Sequence, residues 1–180
     1  MNNEYLRELY FGYATQYYVV GRYAAISSVT PVAGNLLHHA VEIALKGHLA
    51  NSMSSSELKD NFKHNLSKLW GAFKNTLPTS DLEKYDTVIS RLDQFETIRY
   101  PDHTSEFGML VLHNVTKVLN RSKPKLPSPV PRYDLRLQEV DTLFDEIFNA
   151  SSVNPKFFMS GLSKEAKNYL SEENATRWSG

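Results

Sequence analysis

Apolar residues recur along this chain mostly with a helical period. Between Glu4 and Ser28, the residues Tyr5, Leu9, Tyr13, Tyr17, Val20 and Ala24 return every three or four positions, which marks one face of a long helix. Six of the ten tyrosines fall between Tyr5 and Tyr23 and give that helix an amphipathic aromatic surface. Thr30-Pro31 then reads as an N-cap followed by proline at the first helical position, where the missing N–H costs nothing. The second helix runs to about Asn51. Ala33, Ala40 and Gly47 stand seven apart on it and form a stripe small enough for another backbone to approach. Leu37, Val41, Ala44 and Leu45 make its larger apolar face. With both faces suited to burial, it is expected to be the central helix.

Ser54-Ser55-Ser56-Glu57 has the spacing of a capping box opening a third helix, expected to continue through Leu66, Leu69, Trp70, Phe73 and Leu77 until Pro78 stops it. Ser80-Asp81-Leu82-Glu83 repeats that signal before Tyr85, Ile89, Leu92 and Phe95. Pro101 ends this fourth helix, because a residue before proline is driven out of the helical region. A fifth helix is expected with Phe107, Leu110, Val111, Val115 and Val118 as its stripe. Nothing reads as paired strands. Four prolines at 124, 127, 129 and 131 then predict an extended, semi-stiff connection. An amphipathic helix follows, with Leu135, Val140, Leu143, Phe144, Ile147 and Phe148, and a short capped helix spans Ser163 to about Leu170. The expected fold is all-α: an up-and-down bundle of about five helices over residues 1–120. Residues 121–180 add the proline-rich connection and one or two helices that pack on the bundle or on a neighbouring chain.

Composition narrows the function classes. The 180 residues carry 20 Lys+Arg against 20 Asp+Glu, so no global positive field marks a nucleic-acid binder. There is no cysteine, hence no disulfide framework, thiol nucleophile or cysteine zinc site. The amino-terminal residues lack the basic and apolar regions of a secretion signal, and no stretch approaches the roughly 20 apolar residues of a membrane helix. A soluble, cytoplasmic protein is expected. Locally, six basic residues and one acidic residue lie between Lys117 and Arg136, and the acidic Glu139, Asp141, Asp145 and Glu146 follow directly. The two runs can offset each other.

Three polar constellations stand out. On the second helix, spacings of three and four align His39, Glu42 and Lys46, with His38 also one turn from Glu42. Bundle di-iron sites need Glu-x-x-His pairs, which this chain lacks, so neither a metal nor a cofactor is expected; a Glu–Lys helix pair with histidines bonded across an interface accounts for the pattern. His64 lies at the edge of the third helix's apolar stripe and could face His39 if the two helices are antiparallel neighbours. Arg99, beside Pro101 and Asp102 at the end of the fourth helix, can hold a phosphate or carboxylate in bidentate fashion or else bond the frayed carbonyls of that helix end, with His103 directly after Asp102. Glycine-rich phosphate loops, nucleophile elbows and His-Glu-x-x-His motifs are absent from the sequence.

Three blocks in order give the chain a family likeness: Leu36-Leu37-His38-His39-Ala40-Val41-Glu42-Ile43-Ala44-Leu45-Lys46, then Lys63-His64-Asn65-Leu66-Ser67-Lys68-Leu69-Trp70, then Phe95-Glu96-Thr97-Ile98-Arg99-Tyr100-Pro101-Asp102. Behind the tyrosine-rich first helix, they resemble the HEPN superfamily (higher eukaryotes and prokaryotes nucleotide-binding) over about residues 10–120. The resemblance implies an up-and-down helical bundle that often dimerises. Many members are ribonucleases that carry Arg-x4-6-His on the last bundle helix. Here the nearest match is Arg99-x3-His103, one residue short and interrupted by Pro101. The resemblance therefore implies a non-catalytic homodimer binding a nucleotide, another phosphate-bearing ligand or a partner protein such as a nucleotidyltransferase. Its ligand residues would be Arg99, His64, His39, Glu42 and Lys46. An endoribonuclease using Arg99 and His103 is the alternative, with histidine as general acid/base and arginine steadying the phosphorane charge. A structural assembly subunit is the third.

Overall fold

The computed structural model describes residues 3–78, 81–95, 109–113 and 132–179. They form an all-α helical bundle with one short pair of strands. Helices α1 (Asn3–Ile26) and α2 (Thr30–Leu49) make an antiparallel hairpin that is the spine of the molecule. Ser28 turns the chain between them with φ of 63°. The small stripe on α2 works as its spacing predicts. Ala33 and Ala40 are fully buried, and a Cβ at Gly47 would stand 3.1 Å from Tyr10 and Phe11 of α1. Around α2 pack α4 (Leu66–Asn75), α5 (Asp86–Asp93) and α6 (Leu137–Ala150). It is the central helix.

Helix α1 departs from the expected stripe. Tyr5, Tyr13, Tyr17, Val20 and Tyr23 face solvent, while Phe11, Ala14, Tyr18, Arg22 and Ala25 form the buried line at the same helical spacing. The buried line suits its neighbours better: Ala14 and Ala25 leave room, and the large rings meet aromatic partners from the C-terminal part. Phe11 meets Phe148 edge-on with centroids 4.8 Å apart, and Tyr18 stacks on Phe144 at 4.1 Å. Trp178 closes this cluster against Tyr18, Phe144 and Phe148. Thus α6, α7 (Pro155–Met159) and α8 (Lys164–Ser171) pack on the hairpin of their own chain.

Several expected boundaries move, each for a local reason. Thr30 is not the cap of α2: the helix already includes it, and Val29 stands at the N-cap without a side-chain bond. The single expected third helix is two. Helix α3 (Ser55–Phe62) opens with the capping box, Ser54 accepting from the Glu57 amide at 3.3 Å and Glu57 accepting from the Ser54 amide at 2.7 Å. It ends at Lys63, whose φ is 50°. Helix α4 then starts afresh. Asn65 caps it by accepting from Lys68 N at 2.7 Å, and Asp93 of α5 accepts from Leu66 N at 3.0 Å and Ser67 N at 3.3 Å. A carboxylate here also opposes the positive end of the helix dipole. Before α5 a 3-10 turn forms at Glu83–Tyr85, with no side-chain cap from Leu82; the expected second capping box begins at Ser80, outside the described residues.

Where a fifth helix is expected, Met109–His113 is a strand (β1), pairing in parallel with Arg132–Arg136 (β2) from Met109↔Arg132 to His113↔Arg136. Four consecutive apolar residues, Met109-Leu110-Val111-Leu112, fit a short strand as well as a helix, and periodicity alone does not separate the two. Leu135, expected in a helix, is a buried residue of β2, and α6 begins two residues later. The proline-rich connection falls outside the described residues. The last helix matches its expectation: Ser163 caps α8 by accepting from Ala166 N at 3.2 Å. The short α7 was not legible from periodicity, although Asn154-Pro155 is a capping signal, and Asn154 does accept from Lys156 N at 3.0 Å.

Candidate functional site

Glu42 is the centre of the most concentrated set of titratable groups among the described residues. It sits mid-way along α2, and its side chain is only 4% exposed. Helical spacing brings His38, His39 and Lys46 to it from the same helix. Lys46 Nζ donates to Glu42 Oε1 at 2.6 Å, and to the Lys63 carbonyl at 2.7 Å. His39 Nδ1 lies 3.3 Å and His38 Nε2 lies 3.6 Å from Glu42 Oε2. The break between α3 and α4 supplies the last member. His64 follows the left-handed Lys63, and its Nδ1 stands 3.3 Å from Oε1 and 3.4 Å from Oε2. A continuous third helix would not present this turn.

Exposure grades across the cluster. His38 is fully buried and its Nδ1 bonds the Leu92 carbonyl at 2.9 Å, which fixes the proton on that nitrogen. Lys46 and His39 are part-buried, while the His64 side chain is 62% exposed and forms the rim. Tyr17 of α1, 39% exposed, tilts against His39 with ring centroids 5.6 Å apart. Burial pushes the Glu42 carboxyl upward, yet bonds from His38, His39 and Lys46, together with the Lys46 charge, outweigh it and hold the group well below the usual carboxylate range. Glu42 is therefore an anion throughout the physiological range. His38, His39 and Glu42 each offer an electron-pair donor, all within 4.8 Å of one another, a set that can hold a metal ion. A search for Glu-x-x-His passes over it because the order here is reversed, His-His-x-x-Glu.

Of the residues singled out in the sequence, His39, Glu42, Lys46 and His64 come together, and His38 joins them. Arg99 and His103 lie outside the described residues.

Two further polar clusters were not legible in the sequence. Arg22 is fully buried in α1 and spends its guanidinium on Asp141 Oδ1 at 2.9 Å and on the carbonyls of Tyr169, Leu170 and Glu172 at 2.6–2.9 Å. Tyr18 donates to the same carboxylate oxygen at 2.7 Å, and Asn174 donates to Tyr18 at 3.2 Å. Burial raises the Asp141 carboxyl against the opposing pull of Arg22, and it raises the Tyr18 phenol well above its ordinary value. The nearest signal in the sequence is the placement of Arg22 between Tyr18 and Ala25 on the buried line. The other cluster centres on His48, with Nδ1 2.9 Å from Ser151 Oγ and Nε2 2.8 Å from Thr76 Oγ1. Arg7 donates to the Ser151 carbonyl beside it. Burial, and then the Arg7 charge, lower the His48 pKa.

No family model matches the chain, and neither a curated protein nor a solved structure matches it. The geometry alone carries the functional argument. No helix among the described residues is long and apolar enough to cross a membrane.

Proposed function

We propose that this protein is a non-catalytic, HEPN-like helical domain that binds a nucleotide or a similar phosphate-bearing ligand beside Glu42. The observation that carries this reading is the graded exposure of the cluster. Glu42 neutralises Lys46 inside, while His39 and His64 stand at the surface, where each can donate to an anionic oxygen. The partly exposed ring of Tyr17 next to His39 offers a face on which a base can stack. Arg99 belongs to the same ligand set in this reading.

The exposed line of Tyr13, Tyr17, Val20 and Tyr23 on α1 supports a homodimer, because such a run of rings on one helix face is suited to a partner. Calorimetric titration with ATP, AMP and inorganic phosphate tests the ligand, and light scattering tests the dimer. The expected result is saturable nucleotide binding that His39→Ala and His64→Ala each weaken about tenfold or more. Absence of binding to the whole panel would sink the ligand reading. Cleavage of labelled single-stranded RNA by the wild type, lost in Arg99→Ala and His103→Ala, would replace it with the endoribonuclease.

A further inference from the structure

We infer that a pocket between the start of α1 and α7 binds a free α-amino acid with an apolar side chain. The pocket measures about 190 Å³, and Arg7 and Glu8 of α1 stand in its wall. Its apolar lining is Phe11, Val153 and the consecutive rings of Phe157 and Phe158. That volume replaces about six waters and lies below the roughly 300–1,000 Å³ of pockets for drug-sized ligands. It suits one side chain and not a nucleotide. Phe157 is 68% exposed, while the other exposed large apolar side chains among the described residues all belong to α1, α2 or the turn joining them. Phe158 meets Phe157 edge-on with centroids 5.1 Å apart, so the two rings form one apolar wall that an apolar ligand would cover.

The charged groups choose the ligand class. Arg7 is half-buried, with its guanidinium carbon 5.4 Å from the centre of the Phe11 ring, and its Nη2 donates to the Ser151 carbonyl at the end of α6. The guanidinium makes no other hydrogen bond among the described residues. Nη1 is open to solvent and without a protein partner, so the end of a side chain that is already held in place has donors for a carboxylate. Glu8 is exposed, and its carboxylate makes no ion pair among the described residues. Ser152, with φ of 54°, reverses the chain after α6. The amides of Ser152 and Val153 are spent on the Asn149 and Phe148 carbonyls, which leaves charge recognition to Arg7 and Glu8. A simple acid would meet Glu8 as a like charge, and a simple amine would meet Arg7 as one. An α-amino acid bears carboxylate and ammonium on one carbon and answers both.

This site goes beyond the nucleotide reading and does not depend on it, since the amino acid is titrated with no nucleotide present. Calorimetric titration of the full-length protein with L-phenylalanine and with L-leucine should show saturable binding of one molecule per chain. N-acetyl-L-phenylalanine lacks the ammonium and L-phenylalaninamide lacks the carboxylate; each should bind about tenfold or more weakly than phenylalanine. Phe157→Ala and Glu8→Gln change exposed side chains and should each weaken phenylalanine binding about fivefold or more, with the unfolding temperature kept. Arg7→Met retains the stem over Phe11 and should weaken binding at least as much. Lys84→Ala, outside the pocket, should leave it unchanged. Failure of the wild type to bind either amino acid overturns the proposal. So does affinity retained in both Phe157→Ala and Glu8→Gln, or equal affinity for phenylalanine and its acetylated and amidated forms.

Discussion

The Arg22 and Glu42 clusters are built from similar parts and finish differently. Each has a carboxylate less than a twentieth exposed, a cation from a long helix and a tyrosine nearby. In the first, the buried guanidinium meets one carboxylate oxygen and three backbone carbonyls at the C-terminal end of α8 and just beyond it. Its donors are consumed by the fold, and it ties α1 to the C-terminal helices. In the second, one carboxylate faces a lysine and three histidines, and the outermost ring lies in solvent. A closed network fixes structure. A network with a ring open to solvent at its rim can also meet a ligand.

The sharpest way to break this contrast is to remove a cation from the closed cluster. Arg22→Met leaves Asp141 buried without its partner and should destabilise the protein by about 3–5 kcal/mol in urea unfolding. Adding Asp141→Leu should recover much of that loss, because the uncompensated charge goes with it. If Arg22→Met costs less than about 1 kcal/mol, the closed network is not the tie between α1 and the C-terminal helices. Next comes Gly34→Ala on α2, where a Cβ would fall 1.8 Å from the buried ring of Phe95; displacing that ring should cost about 1–3 kcal/mol.

Glu42→Gln tests the open cluster and should cost about 1–3 kcal/mol at neutral pH through lost charge-assisted bonds. Its pH dependence is more telling. The folded carboxyl lies below its ordinary value of 4.5, so its stabilising contribution is complete above that pH and is lost as the pH falls below it. The variant should show a flatter acid limb. His48 gives a second, smaller acid effect in another window. Its folded pKa lies below the ordinary 6.5, so its contribution is present above that value and declines as the pH drops from there. His48→Asn should remove that part of the profile alone. Smallest of all, His64→Ala should change stability by no more than about 0.5 kcal/mol, as expected for an exposed rim residue, while it impairs ligand binding.

Much of this molecule follows from short-range rules. Spacings of three and four residues specify the helices, Ser54 and Ser163 place two of their starts, and Ala33, Ala40 and Gly47 mark where α1 approaches α2. They also put His38, His39 and Lys46 one turn or less from Glu42, because a helix decides its own side-chain neighbours. What lies beyond one helix was decided by tertiary contacts. Which line of α1 is buried depended on Phe144, Phe148 and Trp178, more than 100 positions away in sequence. Met109–His113 became a strand because a partner at Arg132–Arg136 was available to take its backbone bonds. His64 reached Glu42 because Asp93 receives the α4 amides and the chain breaks at Lys63; an apolar stripe that runs through Leu58 and Leu66 gives no sign of that break. Helical period is a local property of the chain, whereas the partner that terminates, buries or redirects a segment exists only once distant residues have come together.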